Sequence, residues 1–426
     1  MRTSLFLVLV LSALRIGSAA ETSQDQAFSN LVERASAAQR RGDFKIAAQL
    51  YEQSLAMRTG VPELRVNLGL MLHLLGDYRA ALNHFRQALK EDSTLFAANL
   101  FAGIDLLKLR QYSDASTFLK RAYKLNGSDF TVNLSLGQLH ADLGEYETAN
   151  QFYFQASELD SRRSEAWYGL AVTYLNVQRT AIETLSEREG GADHIDEVAR
   201  TDFSKAAADR ERFVEAVQSA TSQRADASEL SNLAILSGAL AQQAIVKVLE
   251  IDPSSSAVHA LLGNAYSELH DYSKAQEEFK KALARDPQDL SAHLGLATLY
   301  AREHQPEQAA AELRIIFKAR PRDPEAAYLQ GRLLVDAEKF DQAIPYLETA
   351  LAGTVSNVPH VHALLGKVYA AQGKTAKAIA EYRQSLGADR QGGYHYRLYR
   401  LYLTAGDKEK SNEMLQQVRA RRRNHQ

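Results

Sequence analysis

Histidine is the residue type here best suited to bind a metal ion or transfer a proton near neutral pH, and the chain contains 12. Four of them recur near the starts of regularly spaced segments: His259, His293, His362 and His395. Equivalent positions in a repeated unit lie one repeat width apart, so these four side chains do not converge on one metal ion. His360 and His362 are two residues apart, and such residues on a helix do not face one another. Packing is therefore the expected role of the recurring histidines.

The sequence has no other arrangement typical of an active site. It contains no HExxH motif, no glycine-rich phosphate loop and no GxSxG motif. It has no cysteine, and so neither a thiol nucleophile nor a thiolate ligand for zinc. We expect a protein that is not an enzyme, with no catalytic residues, no bound metal and no cofactor.

A period of 34 residues organises the chain. Gly42, Gly76, Arg110 and Gly144 are spaced at this interval, and an aromatic residue follows two positions after each. Later copies begin at His270, Gln305, Glu338, Gly373 and Gly406. A fixed period of this length is typical of stacked helical hairpins that share one elongated core.

Small residues recur at fixed places in the repeat. A glycine lies in the middle of the first helix of many units, where it costs up to ~1 kcal/mol relative to alanine. These glycines are Gly69, Gly103, Gly137, Gly263, Gly331 and Gly366. Alanines take the corresponding place on the second helix: Ala81, Ala115, Ala149, Ala275, Ala309, Ala343 and Ala378. We expect a neighbouring helix to pass too close for a larger side chain, and the aromatic at positions such as Phe85 or Phe279 to fill the space between units.

This pattern resembles the tetratricopeptide-repeat (TPR) family from about Phe28 to Val418, apart from one insertion. Three units end in the family's proline, at Pro253, Pro287 and Pro321. The resemblance implies an all-α fold: a right-handed superhelical solenoid of roughly ten helix-turn-helix units with one long helical insertion. The first helix of each unit would then line a concave face.

The insertion splits one unit and separates two lobes. The next unit after Ser164 is due at Val198 but begins at Ser256, which leaves 58 extra residues. We assign residues 28–178 to an N-terminal lobe, 179–238 to the insertion, 239–418 to a C-terminal lobe and 419–426 to a basic tail. Within the insertion we expect a long helix from about Ile195 to Ser222, with Phe203, Ala207, Arg210, Val214 and Val217 near one face. The flanking helices should be extended.

Two interpretations of the insertion are open. It is either an enlarged hairpin that packs against its neighbours or an arm that binds a partner. Deleting it separates the two, because only the second predicts loss of partner binding.

The first residues of the chain predict export. Arg2 precedes an apolar run from Leu5 to Leu14, and the small residues Ser18 to Ala20 follow. The run is about half of the ~20 residues that cross a bilayer. A cleaved signal peptide over residues 1–20 is therefore favoured over an uncleaved anchor, and no transmembrane span is expected after its removal. No cysteine follows for lipid attachment, so we expect a periplasmic or secreted protein, of bacterial type from its composition.

The resemblance places residues of the first helices in the groove. In the N-terminal lobe these are Val66, Leu70, Leu74, Leu100, Ile104, Leu107, Leu134, Tyr168, Val172 and Leu175. In the C-terminal lobe they include Asn264, Glu268, Arg302, Arg332, Asp336, Lys367 and Arg400. The apolar set would bind an amphipathic helix or an extended apolar peptide, unless curvature, the insertion or the N-terminal segment buries it. The basic set would bind acidic groups.

The expected function is that of a scaffold or adaptor that binds a protein or peptide in a cell-envelope assembly. The formal net charge of −2 gives no attraction to nucleic acid. The alternative is an envelope protein that handles carbohydrate or lipid, for which Tyr168, Tyr328 and Tyr396 are too dispersed to form an aromatic platform. The C-terminal arginines Arg419 and Arg421 to Arg423 either form a solvated tail or contact an acidic partner or lipid.

Overall fold

The computed structural model describes residues 23–186, 188, 191–203, 209–220, 225–268, 271–353, 358–389 and 392–423. The regular secondary structure in these ranges is helical, which confirms the all-α prediction. Contacts divide the chain into a first unit, Met1–Pro253, and a second unit, Ser254–Gln426. The expected signal peptide and the last three residues of the basic tail lie outside the described residues.

Twenty of the 22 described α-helices form ten pairs, as the repeat predicts, and the other two belong to the insertion. The first unit contains α1 (Ser23–Arg41), α2 (Phe44–Met57), α3 (Pro62–Leu74), α4 (Tyr78–Glu91), α5 (Phe96–Lys108), α6 (Tyr112–Leu125), α7 (Phe130–Asp142), α8 (Tyr146–Leu159), α9 (Ser164–Leu185), α10 (Gly191–Arg200), α11 (Arg210–Ala220) and α12 (Ala227–Ile251). The second contains α13 (Ser256–Glu268), α14 (Tyr272–Arg285), α15 (Leu290–Arg302), α16 (Pro306–Ala319), α17 (Pro324–Asp336), α18 (Phe340–Ala352), α19 (Val358–Ala371), α20 (Thr375–Gln384), α21 (Gly393–Thr404) and α22 (Lys408–Arg423). We call the first helix of each pair its A helix and the second its B helix; α9 and α12 form one pair.

The turn between the two helices of a pair contains a residue in the left-handed backbone conformation, with positive φ. Gly76 has φ +81°, and the N–H of Asp77 then donates to the carbonyl of Leu72 at 2.9 Å, which closes the end of α3. Arg110 adopts φ +57° at the same register although it carries a Cβ. In a later repeat the residue with positive φ is His304. The sequence pattern had placed this turn position at Gln305, one residue later. The turn geometry is therefore kept even where glycine is absent.

Aromatic rings of the B helices press against the glycines of the A helices. The Phe279 ring lies between α13 and α15: a Cβ on Gly263 would be 2.6 Å from it, and a Cβ on Gly295 2.2 Å. The same addition would come within 2.9 Å of a B-helix side chain at Gly69, Gly103, Gly137, Gly331 and Gly366. The alanines predicted to pack closely are fully buried: Ala81, Ala115, Ala149, Ala275, Ala309, Ala343 and Ala378. The predicted close approach is confirmed, and the atoms that enforce it belong to an aromatic ring or, at Gly103 and Gly331, to a leucine side chain.

The insertion lengthens the helices on either side of it, as predicted. Helix α9 has 22 residues and α12 has 25, against 13 in α5. The predicted long helix over 195–222 is wrong, because α10 ends at Arg200 and the chain is not helical at residues 201–203. There the Phe203 ring packs beside Gly238 of α12. Ala207 lies outside the described residues.

Helix α12 runs across the lobe boundary proposed at residues 238 and 239, and contacts place all of it in the first unit. Among the described residues it is the one helix long and apolar enough to cross a bilayer, yet 56% of its apolar window is buried within the fold. Burial against α9 is typical of a core helix.

We predict that Gly295→Ala lowers the free energy of unfolding by about 1–3 kcal/mol, because the new methyl group must displace the Phe279 ring. Gly387→Ala is the matched control, since no atom lies within 4 Å of a Cβ built there. Urea unfolding followed by circular dichroism measures both. Equal stabilities for the two variants would contradict the packing described here.

Candidate partner-binding faces

The apolar residues predicted for the N-terminal groove divide into two groups. Val66 and Leu100 are each only 4% exposed and belong to the core, so they offer a partner almost no surface. The others are half-buried: Leu70, Leu74, Ile104, Leu107, Leu134, Tyr168, Val172 and Leu175. Among them Leu70, Ile104 and Leu107 pack against the core while keeping part of their surface exposed. Fewer of the predicted residues are therefore accessible to a partner than the sequence suggested. Half-buried apolar side chains remain on α3, α5, α7 and α9.

A buried polar pair lies beside this apolar face and was not predicted. Asp105, next to Ile104, has a fully buried side chain, and its Oδ1 lies 2.5 Å from Nδ1 of His73, next to Leu74. Burial raises the pKa of Asp105 above its ordinary value, although the hydrogen bond from His73 opposes it. The ring of Phe101 packs on His73 with centroids 5.1 Å apart. This pair joins α3 to α5 and so holds two helices of the apolar face in register.

The insertion is anchored to the repeat by Arg210. Its guanidinium donates to Oδ1 of Asn150 at 2.8 Å and to the hydroxyl of Tyr174 at 3.1 Å. The same group lies over the Phe154 ring, 3.6 Å from its centroid. Phe213, one turn further along α11, meets Tyr174 edge-on with centroids 5.0 Å apart, whereas Val214 is exposed. These contacts pack α11 against α8 and α9, and whether the insertion also binds a partner stays open.

The basic residues predicted in the second unit have different surroundings. Arg302 is exposed and donates to the Tyr272 hydroxyl at 3.0 Å. Arg332 is half-buried and hydrogen-bonds the Tyr328 side chain. Burial raises the pKa of Tyr328, although the hydrogen bond with Arg332 opposes this. Lys367 lies 3.8 Å from Asp336, and Arg400 is exposed.

The three tyrosines considered as an aromatic platform lie on three different helices, α9, α17 and α21. Tyr168 belongs to the first unit and Tyr328 packs partly buried on the core of the second. Tyr396 instead has Tyr399 as its ring neighbour, with centroids 5.8 Å apart.

The recurring histidines each meet a carboxylate. Nδ1 of His259, His293 and His362 lies 2.7, 2.5 and 2.7 Å from a glutamate of the B helix, 19 residues later in every case. The partners are Glu278, Glu312 and Glu381. His395 pairs with Asp389 at 2.6 Å. Packing is thus joined by a histidine–glutamate contact within three hairpins, which the constant spacing of 19 could have indicated. No group of three metal-binding side chains occurs in the described part of the chain.

Sequence profiles of the tetratricopeptide repeat match residues 32–95, 102–157, 267–333 and 328–393. Together the matches cover more than half of the chain. The chain belongs to the tetratricopeptide-repeat family. The TPR matches leave residues 158–266 uncovered, the stretch that contains the insertion.

Several solved structures are similar to this TPR chain at low sequence identity. MamA (residue 41 to the end) from Desulfovibrio magneticus is 22% identical over 44% of this chain and 100% of that one, with a TM-score of 0.34. Yeast Tom70 is 15% identical over 93% of this chain and 92% of its own, with a TM-score of 0.37. A TPR protein of Thermus thermophilus is 20% identical over 56% of this chain and 99% of its own, with a TM-score of 0.40. No curated protein sequence matches the chain.

The histidine–glutamate pairs of this TPR protein predict a specific response to acid. Burial acts to raise the pKa of Glu278, but hydrogen bonds from Lys281 and His259 outweigh it and hold the pKa below the ordinary 4.5. A carboxylate with a lowered pKa stabilises the fold above its unfolded pKa, and this contribution is lost as the pH falls through the folded value.

We therefore expect Glu278→Gln to lower the free energy of unfolding by about 1 kcal/mol at pH 7, with a deficit that shrinks below about pH 4.5. Glu277→Gln is the control, because Glu277 is 65% exposed and pairs with Lys281 at the surface, where an ion pair contributes little to stability. Chemical unfolding at several pH values measures both. A deficit that stays constant down to pH 3 would contradict the assigned hydrogen bonds.

Proposed function

We propose that this TPR protein is a non-catalytic adaptor that binds a protein or peptide partner through the A helices of its first unit. TPR proteins are scaffolds for protein–protein interaction and bind peptide or protein partners. The observation that carries the proposal is the row of half-buried apolar side chains on successive A helices. Leu70 on α3, Ile104 on α5 and Val172 on α9 occupy one register of the 34-residue repeat, and Leu134 lies one helical turn before that register on α7.

The chemistry of this row favours an apolar partner segment. Exposure of apolar side chains to water is unfavourable, and this cost is removed when another apolar surface covers them. An amphipathic helix or an extended peptide with apolar side chains would bury both its own apolar surface and that of the row. The His73–Asp105 pair supports this use, because it holds α3 and α5 in place before a partner arrives and so reduces the ordering cost of binding.

The proposed setting is an assembly in the cell envelope. Arg2, the apolar run from Leu5 to Leu14 and the small residues after it support export to the periplasm or the exterior. A protein without cysteine needs no particular redox environment there, and its stability comes from helix packing.

Two substitutions test the site. We expect Leu70→Glu and Ile104→Glu each to weaken partner capture about 30-fold or more, because a carboxylate placed in an apolar contact costs at least ~2 kcal/mol. Leu125→Glu is the matched control: Leu125 is 44% exposed at the end of the B helix α6. Affinity capture from the native envelope fraction, quantified by mass spectrometry, compares the three variants with the unaltered chain.

Circular dichroism must show equal helical content for all three variants. A protein captured by the unaltered chain and by Leu125→Glu, but lost from the other two, is the expected outcome. Identical captured proteins across folded variants would rule out this face as the binding site.

A further inference from the structure

The last described A helix, α21, departs from the repeat on one side. In α19 this side carries small residues, and Ala363 there is only 7% exposed because it shares a buried cluster with Leu398 of α21. Counted back from the turn glycine of each pair, α21 has large residues in the corresponding places: Tyr396, Tyr399 and Leu403 instead of Ala363, Gly366 and Ala370. Tyr396 is 43% exposed and Leu403 is 50% exposed. A bulky apolar surface therefore replaces a close-packed one.

This surface is turned away from the preceding pair. Residues 396, 399 and 403 follow the three- and four-residue spacing of one helix face. The preceding pair contacts other positions of α21: the Tyr394 ring lies 6.3 Å from the Tyr382 ring of α20, and the Arg397 guanidinium lies 6.0 Å from its centroid. The large residues thus occupy the side on which each earlier pair packs the next one.

Helix α22 adds Leu415 to the same surface. Leu415 follows Gly406 by nine residues, as Tyr382 follows Gly373. Tyr382 is 1% exposed and clusters with residues of α21, whereas Leu415 is half-buried. We call Tyr396, Tyr399, Leu403 and Leu415 the end face. Its residues hold the positions that join one pair to the next elsewhere in the chain.

The first described helix, α1, has the opposite character. Its exposed positions include Gln26, Asn30, Glu33, Arg34 and Arg40, and no large apolar side chain is exposed between Ser23 and Arg41. A polar outer surface of this kind keeps the end of a solenoid soluble. The end face lacks it, which favours a surface that another molecule covers.

Charged side chains border the end face on both helices. Arg400 is exposed on α21, between the positions of Tyr396 and Leu403, and Glu409 and Glu413 are exposed on α22. Among the described residues none of these three charges takes part in an ion pair. A cation at the edge of α21 and carboxylates at the edge of α22 make the face complementary to a copy of itself, with α21 of one copy lying on α22 of the other.

A two-fold axis parallel to the two helices produces this arrangement. Arg400 lies four residues before the end of α21, and Glu409 and Glu413 lie one and five residues after the start of α22. Arg400 is thus about 6 Å from the α21–α22 turn along its helix, between the carboxylates at about 2 and about 8 Å. The axis keeps the turns of both copies at one height. Each Arg400 is therefore level with the two carboxylates of the other copy.

We infer that the end face pairs with the end face of a second copy of this chain and forms a two-fold dimer. The tyrosines and Leu403 of one copy pack on Leu415 of the other, and Arg400 pairs with the carboxylates at the rim. Two helices of these lengths present about 20 Å by 20 Å, so the dimer buries about 800 Å² in total, at the low end for a specific interface. We expect a dissociation constant on the order of 10 μM.

Sedimentation velocity of the full chain, from about 1 to about 200 μM, measures this equilibrium. Leu403→Glu should weaken the dimer at least about tenfold, because it places a carboxylate within the apolar contact. Leu125→Glu is the matched control, since Leu125 is a leucine of similar exposure, 44%, in the first unit. It should dimerise as the unaltered chain does. Circular dichroism checks that both variants keep their helical content.

Charge reversal tests the two-fold arrangement itself. Arg400→Glu should weaken the dimer at least about fivefold, and so should Glu409→Arg combined with Glu413→Arg, because each change places like charges opposite one another. An equimolar mixture of the two variants should recover the dimer, because opposite charges then meet on both sides of the axis. Only pairing between copies of this face predicts that recovery.

A chain that stays monomeric at about 200 μM would overturn the inference. Equal dimerisation of Leu403→Glu and Leu125→Glu would do so too, as would failure of the mixture to recover the dimer. The inference goes beyond the adaptor site and does not depend on it, so Ile104→Glu should dimerise normally. If Ile104→Glu leaves partner capture unchanged while the charge-reversed mixture recovers the dimer, the first-unit site fails and this inference stands.

Discussion

This structure depends on one contact. An aromatic or leucine side chain of a B helix packs directly against the backbone of a glycine in an A helix. At Gly263 and Gly295 the Phe279 ring lies closer than any Cβ would allow, so it fixes both the spacing within a pair and the spacing to the next pair. The buried alanines, such as Ala275, let the second helix approach equally closely. Each pair has little freedom to slide, because interiors packed this tightly do not deform gradually.

This constraint determines which side chains are available for binding. Once the ring and the small residues occupy one side of an A helix, side chains on the other side keep part of their surface exposed. In the first unit these positions carry leucine and isoleucine, as at Leu70 and Ile104; in the second they carry Lys367 and Arg400. One backbone arrangement therefore presents two surfaces of different chemistry. The left-handed turns, kept even at Arg110 and Glu338, preserve the register of those surfaces between units.

Features that repeat could be predicted from the sequence, and features that occur once could not. The period of 34 located the turns, the close-packed glycines and the lengthened helices beside the insertion, because a repeated local pattern has only one way to stack. The contact of Arg210 with Asn150 joins residues 60 apart, and no local spacing indicates it. Burial of Val66 and Leu100 was missed for a related reason. Apolar residues at an inward position look the same in sequence whether or not a neighbouring helix covers them.

The unpredicted polar pairs show the same division. The contact between His73 and Asp105 joins two neighbouring helix pairs and occurs once. The only indication of it in the sequence is an aspartate within an otherwise apolar helix. The histidine–glutamate pairs recur at one spacing. They could therefore have been predicted by comparing the two helices of each repeat. Histidines that the sequence presented as possible metal ligands therefore form histidine–glutamate contacts between the two helices of a pair.

The central claim is that a partner lies directly on the A helices of the first unit. Site-specific photo-crosslinking tests it most directly, with a photoreactive amino acid in place of Ile104 in one preparation and of Leu125 in another. We predict that irradiation in the native envelope fraction joins one protein to the chain from position 104 and not from position 125. Crosslinks of equal yield from both positions, or from position 125 alone, would contradict the account.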